Sequence, residues 1–226
     1  TTLTMNGTGG TLTLTKANTF TGGTTVTAGT LALGVANALP GAVTVNGGTL
    51  SLSSVNKTSG AITFTSGNIT GTTGVLTATT LTSAAAGTVS LDALIAGSGA
   101  LSMSGTGTLT IARANPTFSG PTSVSAGTLL LGAAERLVDT GSLTVAGGTF
   151  DLGGHTERVG AFVLAGGTVT RGNLVASSYE LQSGSFLADL AGAGVSVLKT
   201  TAGTVLLTGA NTFDGGLTLN AGRIRA

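Results

Sequence analysis

Cysteine and tryptophan are absent from this chain, and only 3 prolines, 1 tyrosine and 7 phenylalanines occur among its 226 residues. Without cysteine there is no disulfide scaffold. So few prolines, with glycine off a strict three-residue period, exclude a collagen helix. Charged residues make up 8% of the chain, against a usual ~25%. A disordered chain would be polar and charged, whereas the mean hydropathy here is positive. Glycine, threonine or serine breaks every apolar run before the ~18 residues a membrane-spanning helix requires.

Scarce charge also limits the chemistry. Nine Lys and Arg stand against eight Asp and Glu, and Lys16 is the one charge in the first 56 residues. No cation cluster offers a nucleic acid its phosphate contacts. With one histidine, no cysteine and no Asp-rich calcium repeat, no metal site is expected. Gly97-Ser-Gly99 lacks the third glycine of a dinucleotide fingerprint, and no G-x-S-x-G elbow occurs. The reading is a chain without cofactor, small-molecule substrate or nucleic-acid partner. It opens at Thr1 without an initiator Met, a basic n-region or an apolar h-region. Residues 1–226 are therefore expected to form one segment cut from a longer protein.

What the chain has in abundance is glycine, 39 residues of it. A glycine followed by a small polar and then an apolar residue recurs at Gly10, Gly29, Gly48, Gly67, Gly87, Gly107, Gly127, Gly148, Gly167, Gly184, Gly203 and Gly222. The intervals run from 17 to 21 residues, with a mean near 19. Copies such as Gly10-Thr-Leu-Thr-Leu, Gly48-Thr-Leu-Ser-Leu and Gly107-Thr-Leu-Thr-Ile alternate polar and apolar side chains, the period of a strand with one buried face. A second alternating segment follows in most units, as in Val43-Thr44-Val45, Leu143-Thr144-Val145 and Leu217-Thr218-Leu219. A third short strand has room in between.

A unit of ~19 residues cannot bury its own apolar face, so units must stack. One coil per unit places Leu12 over Leu31 over Leu50 in parallel pairing. The expected fold is all-β: a right-handed parallel β-helix of about twelve coils, a rod roughly 50 Å long at ~4.8 Å per coil. Eight residues after the marker glycine stands Asn18, Asn37, Asn56, Asn115 or Asn211. Asparagine tolerates the backbone of a bend, and stacked amides can form a ladder. The alternative is plain turn propensity. Phe20, Phe118 and Phe213, ten or eleven residues after the glycine, read as caps on the core.

A longer period overlies the short one. Gly10-Thr-Leu-Thr-Leu-Thr-Lys-Ala-Asn-Thr-Phe-Thr-Gly-Gly returns, with changes, from Gly107 and from Gly203, five coils apart each time. This stretch resembles the passenger-associated transport repeat of bacterial autotransporters, most closely at 10–31 and well at 97–129 and 192–222. The resemblance implies a right-handed β-helical passenger exported through an outer-membrane β-barrel. The partner would be its own translocator barrel, the location the cell surface or the extracellular space, and the role a non-catalytic stem that supports secretion. The family has no catalytic residues to carry over. Pro116 inserts a residue in the second copy, and Arg223 replaces the usual threonine in the third.

Two other readings compete with the stem. An adhesin would present its uncharged side to glycans, a host surface or other copies of itself. A polysaccharide-active enzyme would draw on Glu135, Arg136, Asp139, Asp151, His155, Glu157 and Arg158, since glycoside hydrolysis needs two carboxylates at a defined separation. Counted from their marker glycines, Arg136 and Glu157 share one position and should sit one above the other. Solvated turn charges and one exposed ion pair are the simpler account of this cluster. Threonine pairs at 11/13, 108/110 and 168/170 are too scattered for an ice-binding array, and they fit ordinary strand propensity.

Overall fold

The computed structural model describes residues 1–36, 38–115 and 117–226, so Asn37 and Pro116 lie outside the described residues. Among the described residues every regular element is a strand. The strands pair in parallel and climb as a β-solenoid of about twelve turns. Leu12 pairs with Leu31, and Leu31 with Leu50, as the repeat requires.

Each turn has up to three faces. The marker face holds the strand that follows the marker glycine, such as Thr11–Leu14, Thr30–Leu33, Thr108–Ile111 and Thr128–Leu131. The return face holds the second segment, as in Leu3–Met5, Thr24–Val26, Thr122–Val124 and Leu143–Val145. A middle face joins them in only part of the rod: Val75 pairs with Leu94, and Glu157 pairs with Leu174, which pairs with Leu190. There the chain runs in extended conformation round its corners, so Lys57–Ser83, Thr149–Leu164 and Thr168–Leu181 each cross several faces.

Alternation decides which side chains enter the core. Leu31, Leu50, Ile69, Leu91 and Leu129 from the marker face and Val26, Val45, Phe64, Met103 and Val145 from the return face are all fully buried. Outward positions carry threonine instead. Thr88, Thr108, Thr128, Thr149 and Thr168 stand in register on five successive turns, a column that β-branched side chains favour. Phe118 is buried, and Phe20 and Phe213 pack against the core from its margin. Phe162 meets Tyr179 and Phe186 edge to face, with ring centroids 5.9 and 5.7 Å apart.

The marker glycine has two physical uses. Gly127 takes a left-handed φ of 57°, which other residues adopt only at a cost. Gly107 has room for no side chain, since a Cβ there would land on the Gly87 carbonyl of the turn below.

The even spacing fails at two steps. Asn68 pairs with Ser90, where the glycine count puts it over Thr88, and Gly184 pairs with Val205, where the count puts it over Gly203. Both slips are of two residues. A two-residue slip keeps every inward side chain inward, so the apolar pattern does not forbid it. At the first slip the Asn68 Oδ1 accepts the Ser90 N–H at 3.1 Å and holds the new register.

Candidate functional site

The polar residues singled out in the sequence gather at the corner where the chain leaves the marker face. Register and hydrogen bonds place Asn56, Val75, Leu94, Asn115, Arg136, Glu157, Leu174, Leu190 and Asn211 in one column up the rod. Val75, Leu94, Leu174 and Leu190, which lie in the middle strands, are apolar, because the strand ladder satisfies the main chain there; Glu157 stands at the edge of that ladder, facing a turn without a middle strand. Where it is missing, a side chain supplies those bonds.

Asn115 shows the pattern in full. It is buried; its Oδ1 accepts the Ile95 N–H at 2.7 Å from the turn below. Its Nδ2 donates to the Arg136 carbonyl at 3.1 Å in the turn above and to the Arg113 carbonyl at 2.8 Å in its own turn. Asn211 accepts from Leu190 N–H at 3.0 Å, Asn56 accepts from Val75 N–H at 3.0 Å, and Asn18 donates to the Ala38 carbonyl at 2.7 Å. These amides therefore bond to the main chain of neighbouring turns. Among the described residues no bond joins one of them to another, and Asn37 lies outside that set.

Glu157 takes the asparagine place in its turn. Its side chain is fully buried, and its two oxygens accept the N–H groups of Arg136 and Leu137 at 2.8 and 2.7 Å. Burial pushes the carboxyl up to about 7, against the pull of those two bonds, and the negative Glu135 and Asp139 add to the rise. Arg136 and Glu157 do share one position, but the link between them runs through the Arg136 main chain. The expectation of solvated turn charges is thus corrected for Glu157. It is corrected for Asp151 as well, which is buried and gripped by the Nε of Arg171 at 2.9 Å, by Arg171 Nη2, and by the Gly153 N–H at 2.9 Å. Arg158 and Glu135 form the exposed ion pair at 2.7 Å, an interaction worth ~0–1 kcal/mol. Among the described residues the side chains of His155 and Asp139 make no hydrogen bond or ion pair; Asp139 is exposed and His155 half-buried.

A glycosidase would need two carboxylates facing a substrate. Glu157 instead faces the chain's own N–H groups, and Asp151 is committed to Arg171. What this arrangement does chemically is join turns. Among the described residues no group of three or more His, Cys, Asp or Glu could hold a metal ion.

Two buried lysines escaped the sequence reading. Lys57 donates to the carbonyls of Leu39 and Thr58, each at 2.5 Å, and burial lowers its amine to about 8. Lys199 stands where Leu181 and Leu219 stand in the adjacent turns and donates to the carbonyls of Thr201 and Ala221. The signal was there for Lys199: its strand alternates as Val-Leu-Lys, which puts the lysine on the core side. Tyr179 is a third case, its single hydroxyl proton shared between the carbonyls of Leu174 and Ala191 at 2.6 and 2.7 Å and its oxygen accepting the Ala176 N–H, with its pKa pushed up to about 12 by burial.

Fold and corner together define a parallel β-solenoid whose turns are cross-linked by side chains that bond to the main chain above and below. A family model described as the passenger-associated-transport-repeat matches residues 3–33, 97–131 and 197–226. The chain carries this repeat three times, as fits an autotransporter passenger. That family is a structural repeat of passengers rather than a catalytic one. It implies linkage to a translocator in the full-length protein and export to the cell surface or beyond. Neither the curated proteins nor the solved structures gave a match to the chain.

Proposed function

We propose that this segment is a non-catalytic stem of an autotransporter passenger, one that supports its own export and folds turn by turn as it emerges at the bacterial surface. The observation that carries this reading is the pairing pattern. Strands pair with those of the turn below and the turn above, on faces that repeat every ~19 residues, within a chain that bears three transport repeats. Folding of such a rod needs only contacts between neighbours, so an emerging turn has its docking surface already in place. Few charges and no cysteine suit a chain that passes a pore unfolded. The segment is read as one structural unit over 1–226, within a longer passenger held by its own translocator barrel.

The test is surface display of the segment fused to an autotransporter translocator. Leu129→Asp puts a charge at a fully buried position on the marker face. Display of protease-resistant passenger should fall at least several-fold. Wild-type display of this variant would contradict the stem reading.

A further inference from the structure

The same corner carries an open groove. It runs along the rod from Ser51 and Ser53, past Thr70 and Thr72, to Asp92 and Arg113, and on to Arg136. These residues belong to five consecutive turns, so the groove is about 20 Å long at ~4.8 Å per turn. Its first part is lined by hydroxyls, one set per turn. Its far part carries two guanidinium groups. Arg113 is neutralised there by Asp92 at 2.8 Å and anchored on the Thr72 carbonyl at 2.9 Å.

Arg136 is different. Its Nε is buried and has no acceptor among the described residues. Among the described residues Arg136 forms no ion pair: Asp92 is engaged by Arg113, Glu135 by Arg158, and Glu157 by two main-chain N–H groups, while Asp139 makes no side-chain bond. Beyond Arg136 the surface carries Asp139 and the Glu135–Arg158 ion pair, so the cation without an ion-pair partner on this stretch is Arg136.

Among the described residues no aromatic side chain lines the groove. A neutral sugar therefore has no ring face to stack on, and recognition falls to hydroxyls and charge. A guanidinium fork matches the planar oxygens of a carboxylate or the oxygens of a sulfate. The repeat along the groove presents polar groups at about the rise of one hexose in an extended chain.

We propose that this groove binds an acidic oligosaccharide lengthwise, its sugar hydroxyls on Ser51, Ser53, Thr70 and Thr72 and one anionic group on Arg136. This goes beyond the stem role and is independent of it. A stem without glycan binding still displays, and a failed display leaves binding by the purified segment unaffected.

Calorimetric titration of the purified segment with tetragalacturonate, a heparin-derived tetrasaccharide and cellotetraose tests the proposal. One acidic ligand should bind at least ten-fold more tightly than neutral cellotetraose, and which one it is separates carboxylate from sulfate recognition. Arg136→Gln, which keeps the main-chain N–H that Glu157 accepts, should weaken acidic binding at least ten-fold. Thr70→Glu, which puts a negative charge in the groove on a half-buried strand position, should do the same and serves if the first variant does not fold. The proposal is overturned if neither acidic ligand binds, if cellotetraose binds equally well, or if the folded variants bind as the wild type does.

Discussion

At Glu157 a carboxylate does the work that asparagine does at 56, 115 and 211. Asparagine is neutral, and a buried carboxylate is costly unless its bonds repay the lost hydration. Burial raises the folded-state pKa to about 7 from an ordinary value of 4.5. The folded state then holds the proton more tightly than the unfolded chain does. Its contribution to stability is fully present below about pH 4.5 and is lost as pH rises through 7. Lys57 has the opposite sign. Its folded pKa of about 8 lies below 10.5, so between these values the unfolded chain binds more protons and stability rises with pH. Urea unfolding should therefore give a wild-type stability that falls by about 2–3 kcal/mol from pH 4.5 to 7.5 relative to Glu157→Gln. Parallel curves for the two proteins would contradict this account of Glu157. The position of this residue was legible from the spacing, since the ninth place after Gly148 lines up with the ninth after Gly127. Its burial was not, because a corner residue turns inward or outward according to whether the turn below leaves N–H groups unserved.

The strand pattern and the number of turns were readable directly from the glycine spacing and the period of two. The middle face was not. Val75, Leu94, Leu174 and Leu190 sit in the same column as the asparagines, and a strand three residues long between corners leaves little alternation to detect. The two register slips were hidden for a different reason: a shift of two residues preserves the apolar pattern that revealed the repeat. Asparagine and middle strand are then two solutions to one problem, the unpaired main chain at a corner. Asn115 should accordingly matter more than Asn18, since its three bonds reach the turn below, the turn above and its own turn, whereas Asn18 reaches one neighbouring turn. Asn115→Ala should cost about 2–3 kcal/mol by chemical denaturation and Asn18→Ala about 1 kcal/mol or less. Equal losses would mean that the corner bonds are not what ties these turns together.

Over the whole molecule, the scarcity of charge and the excess of glycine have one origin. Stacked turns bring backbone against backbone at the corners, which glycine permits. They also line up identical positions every ~4.8 Å, where like charges would repel. Three ion pairs link neighbouring turns, Asp92 with Arg113, Glu135 with Arg158 and Asp151 with Arg171. Such a rod has no long-range closure to wait for, and this is the physical basis for the proposed folding during export. The most direct measurement stalls the passenger partway through its translocator and probes the exported turns with an external protease. Export-coupled folding predicts that the turns already outside resist cleavage before the rest of the chain has emerged. Exported turns that remain fully cleavable until the last residue is out would contradict it.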